Sequence, residues 1–234
     1  MVRIAAALTS ACLALPAWGD CRLALLLALD VSSSVDMVED DLQRGGLAAA
    51  LVAPEVRAAF LAGPDPVALA VFEWSGRYNQ EIILDWTLID SPAALTRVSE
   101  TVRQSRRQHN EFPTALGYAL GFGAEMLQRA PQCFFQTIDV AGDGQNNEGF
   151  GPALAYDEFP FEGVTVNGLV VNAADFEAET GLINFYRTEV LRGPGAFLEV
   201  AQGFEDYERA MRRKLERELS PPVFGMDALT DQPG

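Results

Sequence analysis

Two short runs carry the residue types best suited to chemistry. Asp30-Val31-Ser32-Ser33-Ser34 sets one carboxyl beside three hydroxyls, and Gly142-Asp143-Gly144 places a second carboxyl between glycines, followed by Gln145, Asn146 and Asn147. Hard oxygen donors of this kind suit Mg²⁺, Ca²⁺ or Mn²⁺ rather than softer metals. Each run also has a plainer reading. Serines after a strand cap the next helix by accepting from its free N–H groups, and Gly-Asp-Gly fits an ordinary turn. Position raises the pair above its parts, because Asp30 closes the apolar run Leu23 to Leu29 and Asp143 follows the run Phe134 to Ala141.

Those apolar runs belong to an alternating pattern. Strands are expected at 23–30, 67–72, 81–84 (extending towards Thr87), 134–141, 164–171 and 196–200. Helices are expected at 36–61, 92–107, 114–129, 181–191 and 204–219, with a short one between Pro152 and Glu162. Gly45, Gly46 and Pro54 are positions where the first helix can bend or divide. The Gly76-Arg77-Tyr78-Asn79 turn makes the second and third strands an antiparallel hairpin. The pattern predicts an α/β fold: a doubly wound, mostly parallel sheet flanked by helices on both faces, with one antiparallel edge strand. Ligands of such sheets bind beyond the carboxyl ends of the strands, where the strand order reverses.

Bulk properties narrow the function classes. The chain has 234 residues, 33 acids against 17 bases and a formal net charge of -16. That charge repels phosphate backbones, so nucleic acid is excluded as a partner. Arg3, the apolar stretch Ile4 to Leu15 and the small residues around Gly19 have the layout of a signal peptide over 1–19, too short for a membrane span. Export to the periplasm or the cell exterior follows, with one domain over 20–220 and a loose tail over 221–234. Cleavage leaves Cys21 and Cys133, each at the head of an expected strand. A disulfide is expected in an oxidising compartment, with two free buried thiols as the alternative.

Taken together, Asp30-x-Ser32-x-Ser34 after a hydrophobic first strand, Thr114 opening a later helix and Gly142-Asp143-Gly144 after a fourth strand resemble the metal-ion-dependent adhesion site (MIDAS) of von Willebrand factor type A (vWA) domains. Within that superfamily the chain is similar to a small exported bacterial group of unassigned function. The runs that carry this are Glu73-Trp74-Ser75-Gly76, Asp139 to Asn147, Gly193-Pro194-Gly195-Ala196-Phe197 and Arg212-Arg213-Lys214-Leu215. The resemblance implies that Ser32 and Ser34 ligate one divalent cation through their hydroxyls, Mg²⁺ in the first place. Thr114 would join directly or through water, and Asp30 and Asp143 would bind directly or hold coordinated waters. It also implies adjacent, parallel first and fourth strands, which would bring Cys21 and Cys133 together at the end opposite the metal. One departure from the family pattern is Phe112-Pro113 ahead of Thr114, where a glycine often stands.

The implied function is capture of a protein partner that offers a carboxylate to the cation. The rival is an exported metal-assisted or two-carboxylate hydrolase, for which Glu73 and Asp85 are candidate acids, though both fit a surface or hairpin position. His109 is the only histidine and has nothing beside it to build a zinc site or a triad. The cluster Arg103, Arg106, Arg107 could serve as a docking patch but more simply fits a solvated helix end, and the Arg and Glu residues of the last helix, which also carries the sole lysine Lys214, fit a solvated face.

Overall fold

A strand with an unbroken apolar run such as Leu23 to Leu29 belongs in the middle of a sheet, covered on both faces. The first strand, β1 (Cys21–Asp30), sits there in the protein, whose computed structural model describes residues 21–172 and 176–220. The expected leader (1–19) and tail (221–234) lie outside the described residues. The other strands are β2 (Val67–Ser75), β3 (Asn79–Ile89), β4 (Cys133–Gly142), β5 (Val164–Val171) and β6 (Leu198–Ala201), in the sheet order β3-β2-β1-β4-β5-β6. All pairings are parallel except β2 with β3 at the edge. The reversal in strand order falls between β1 and β4.

Seven α-helices are described: α1 (Met37–Val52), α2 (Pro54–Phe60), α3 (Pro92–Gln104), α4 (Leu116–Leu127), α5 (Pro152–Glu158), α6 (Phe176–Phe185) and α7 (Tyr207–Leu219). Alternate residues of β1 serve two cores, as a period of two requires. Leu25, Leu27 and Leu29 pack with α1, α3 and α7 through Leu47, Leu51, Val98 and Leu215. Ala24, Leu26 and Ala28 pack with α4 and with Tyr186. No helix among the described residues is long and apolar enough to cross a membrane.

Several boundaries differ from expectation for local reasons. The expected 36–61 helix divides at Ala53, because Pro54 cannot continue the hydrogen-bond ladder and instead opens α2. Gly45 and Gly46 leave α1 intact. A Cβ on Gly46 would stand 3.0 Å from the Glu208 backbone nitrogen, so that glycine permits close packing against α7. The expected 181–191 helix is the end of α6 followed by a π-helical turn over Tyr186–Val190. The last helix begins with a 3-10 turn over Phe204–Asp206.

Cys21 and Cys133 lie directly opposite in the β1–β4 register and are joined in a disulfide. The bond closes a loop with a sequence separation of 112, which constrains the unfolded chain strongly. Replacing both cysteines by serine is expected to lower unfolding stability by about 2–5 kcal/mol, read as a shifted urea midpoint with the fold retained.

The charged face of α7 is not wholly solvated. Lys214 follows Tyr207 by seven residues and Met211 by three, so helical spacing sets it on the inner stripe. It is 0% exposed, 2.9 Å from Asp139 Oδ1 and 3.0 Å from Glu218 Oε1. Asn167 donates to Glu218 at 2.8 Å and accepts from the Phe197 backbone at 2.8 Å, extending the network to the middle of β5. Burial pushes the Asp139 carboxyl up, to about 7, against the opposing pull of Lys214. Burial alone would lower the Lys214 ammonium, but Asp139 and Glu218 outweigh it and hold it above its ordinary value.

Candidate functional site

The carboxyl ends of β1 and β4 bring the five expected site residues together. Ser34 Oγ donates to Asp143 Oδ1 at 2.8 Å across 109 residues of chain. Ser32 Oγ lies 3.1 Å from Ser34 Oγ and accepts from Thr114 Oγ1 at 3.2 Å. Asp30 is fully buried, and its Oδ1 accepts from the Ser32 backbone at 2.8 Å. Three hydroxyls and two carboxyls from three separate segments therefore meet at the reversal point.

The plainer readings of these residues do not match their geometry. Asp36 caps α1, accepting from Val38 and Glu39 while Glu39 reaches back to the Asp36 N–H. Ser32 and Ser34 are thus left free of that task. Thr114 does not cap a helix either, since α4 begins at Leu116 with Ala115 as its cap and no side-chain cap bond. Gly142 and Gly144 do not have positive φ. Their role is space: a Cβ on Gly144 would stand 3.2 Å from Thr114 Oγ1, and one on Gly142 would strike the Tyr186 hydroxyl and Asp30 Oδ2.

A second set of residues, to which the sequence assigned no such task, holds these loops in place. Arg107 is not a solvated helix end. Its guanidinium donates to the backbone oxygens of Val31 at 2.6 Å, Ser32 at 2.8 Å and Val35 at 2.5 Å, clamping the loop after β1. Gln43 donates to the Asp30 backbone oxygen at 3.0 Å. Asn147 exchanges bonds with Thr114, accepting from its N–H and donating to its backbone oxygen, both at 2.9 Å. Glu73 is buried, not at the surface. It pairs with Arg44 and accepts from the Gln108 backbone at 2.9 Å, while Arg44 also pairs with Asp40 at 2.9 Å. Glu73 is therefore committed to a structural ion pair, and Asp85 lies exposed on the edge strand β3, so the two do not form a catalytic pair. Half-buried His109 packs edge-on against Phe112. Asn147 had a signal, its place directly after the Gly-Asp-Gly turn. Arg107 had none, because its partners are backbone carbonyls that any sequence supplies.

Electrostatics at the site favour a cation. Burial first, and the nearby Asp143 charge second, push the Asp30 carboxyl up to about 8. Burial also raises the Asp143 carboxyl. Asp30 Oδ2 is buried without a hydrogen-bond partner. Two carboxyls sharing a site with an oxygen unsatisfied are costly unless a positive charge joins them. Among the described residues there is no cluster of three or more His, Cys, Asp or Glu, so hydroxyls supply the remaining donors. That donor set fits a hard divalent ion.

A family model described as a protein of unknown function (DUF1194) matches residues 20–223. The chain belongs to that family. No curated protein matches this DUF1194 chain. Among solved structures it is similar to proximal thread matrix protein 1 from the mussel byssus with a zinc-occupied MIDAS motif (17% identity, TM-score 0.58, covering 86% of this chain and 48% of that one). It is also similar to the pilus adhesin SpaC from Lactobacillus rhamnosus GG in its open conformation (13%, 0.61, 85% and 30%), and to a von Willebrand factor type A protein from Catenulispora acidiphila (15%, 0.55, 85% and 43%). At such identities the likeness is one of fold, and the DUF1194 fold is of the vWA type. The DUF1194 chain spans about half the length of the mussel protein and about a third of the adhesin.

Proposed function

We propose that Asp30, Ser32, Ser34, Thr114 and Asp143 hold one divalent cation, Mg²⁺ in the first place and Ca²⁺ or Mn²⁺ as alternates, and that the protein uses it to capture a protein partner outside the cytoplasm. The observation that carries this reading is the Ser34–Asp143 contact, joined by Ser32 and Thr114 into one cluster of oxygen donors. A cation held mainly by neutral hydroxyls stays electrophilic and can accept a carboxylate from a partner. Asp30 and Asp143 balance its charge without quenching it. Ser34 is exposed while Asp30 and Ser32 are buried, so the donor set opens to solvent on one side only. The disulfide supports export, with residues 1–19 as a cleaved leader and residues 20–220 as the binding domain. The zinc-occupied MIDAS motif of the mussel protein and the adhesin role of the pilus protein support a cation-linked, adhesive role.

The test is capture of exported proteins by the immobilised chain in Mg²⁺ and in EDTA, with Asp30→Ala alongside. Capture in Mg²⁺ alone, lost in Asp30→Ala, is the expected result. Capture insensitive to both chelator and substitution would sink the reading. An activity screen against phosphoesters and glycosides addresses the rival: chelator-sensitive turnover abolished by Asp30→Ala would establish a hydrolase instead.

A further inference from the structure

Beneath the candidate cation site lies a buried hydroxyl without a partner. Tyr186 is 0% exposed, and its Oη has no hydrogen bond. The same holds for Asp30 Oδ2. The two orphans share one place: an ideal Cβ on Gly142 would stand 2.6 Å from Tyr186 Oη and 2.9 Å from Asp30 Oδ2. Both atoms therefore pack over the bare Cα of Gly142, next to the loop that carries Asp143.

The chain makes room for this phenol at two points. A Cβ on Gly168 of β5 would stand 2.8 Å from the Tyr186 ring, so one glycine admits the ring and Gly142 admits its hydroxyl. Tyr186 opens the π-helical turn, its backbone oxygen accepting from Leu191 at 2.9 Å. Such a turn inserts one extra residue and re-aims a side chain, and π-turns recur at functional sites. A tyrosine needed only to fill the core could be phenylalanine. A buried hydroxyl left unpaired is a cost, and its proximity to the unpaired oxygen of an acid suggests why it is kept.

We propose that Tyr186 is a positioning residue for Asp30: its hydroxyl is linked to Asp30 Oδ2 through one bridging water and holds the carboxyl group correctly turned for the cation. This rests on the metal reading above. The interaction does for Asp30 what outer hydrogen bonds do for metal ligands generally.

Tyr186→Phe removes only the hydroxyl and keeps the ring between the two glycines. Calorimetric titration with Mg²⁺ alone is expected to show a Kd about 10-fold weaker than the parent, with the metal-free Tm not lowered. An unchanged Kd overturns the proposal, and so does a weaker Kd accompanied by a clear fall in the metal-free Tm, which marks a packing role. A second arm needs no cation. In metal-free protein carrying ¹³C-labelled tyrosine, Asp30→Asn should move the Tyr186 Cζ resonance, because an amide turns the hydroxyl from donor to acceptor. A resonance that stays in place overturns the link. A parent chain that does not bind Mg²⁺, with a resonance that does move, would instead sink the metal reading and leave the Tyr186–Asp30 contact standing.

Discussion

Asp30→Asn is expected to weaken Mg²⁺ binding by about 100-fold without lowering the melting temperature of the metal-free protein. The two halves of that result have one cause. Asp30 is a fully buried carboxyl with one oxygen bonded to the Ser32 N–H and the other unpartnered, and burial has raised it to about 8. In the absence of a cation its charge is a burden, which the amide removes while keeping the shape and the Ser32 bond. In the presence of a cation the same charge is the attraction. A residue that only supported the fold would lose stability and leave affinity alone, whereas a site residue loses affinity and leaves stability alone. Isothermal titration with Mg²⁺ beside a metal-free thermal melt separates the cases. An Asp30→Asn chain that bound Mg²⁺ as the parent does would remove the acid from the site.

Lys214→Met carries the largest expected effect on stability. The side chain is 0% exposed, facing Asp139 at 2.9 Å and Glu218 at 3.0 Å, so its loss strands two carboxyls in the interior. Removing one partner from a buried ion pair typically destabilises by about 3–5 kcal/mol. For a chain of this size that lowers Tm on the order of 10 °C. The sign of the pH dependence follows from Asp139. Its folded-state value is raised above its unfolded one, so the stability it contributes is full below about pH 4 and is lost as pH rises through about 7. Without the ammonium the folded-state value moves higher still. The gap between parent and variant should therefore be narrow near pH 5 and wide near pH 8, as read by urea unfolding at each pH. A gap constant with pH would mean that packing, not charge, had been lost.

Some of this was legible in the chain because it depends on local residue type. The apolar run Leu23 to Leu29 requires a buried central strand, Pro54 must interrupt a helix, and the Gly76 to Asn79 turn joins an antiparallel pair. Acids and hydroxyls placed directly after two such strands go to the carboxyl edge of the sheet, so Asp30, Ser34 and Asp143 could be named before their distances were known. The charged residues were misjudged for the opposite reason. Glu73 and Arg107 each look solvated when only their neighbours in sequence are considered, and each is held by groups that the fold brings from far away.

The sequence alone determined the α/β class, the strand ends that bear the oxygen donors and a cysteine at the head of each of two strands, because periodicity and chain termini of strands are set by the residues themselves. Tertiary structure decided which hydroxyl meets which carboxyl, that Arg107 grips the β1 loop through its carbonyls, and that Asn147 exchanges bonds with Thr114. Those contacts rest on segments tens of residues apart converging within hydrogen-bond range, and a side chain's type does not say what it will find there.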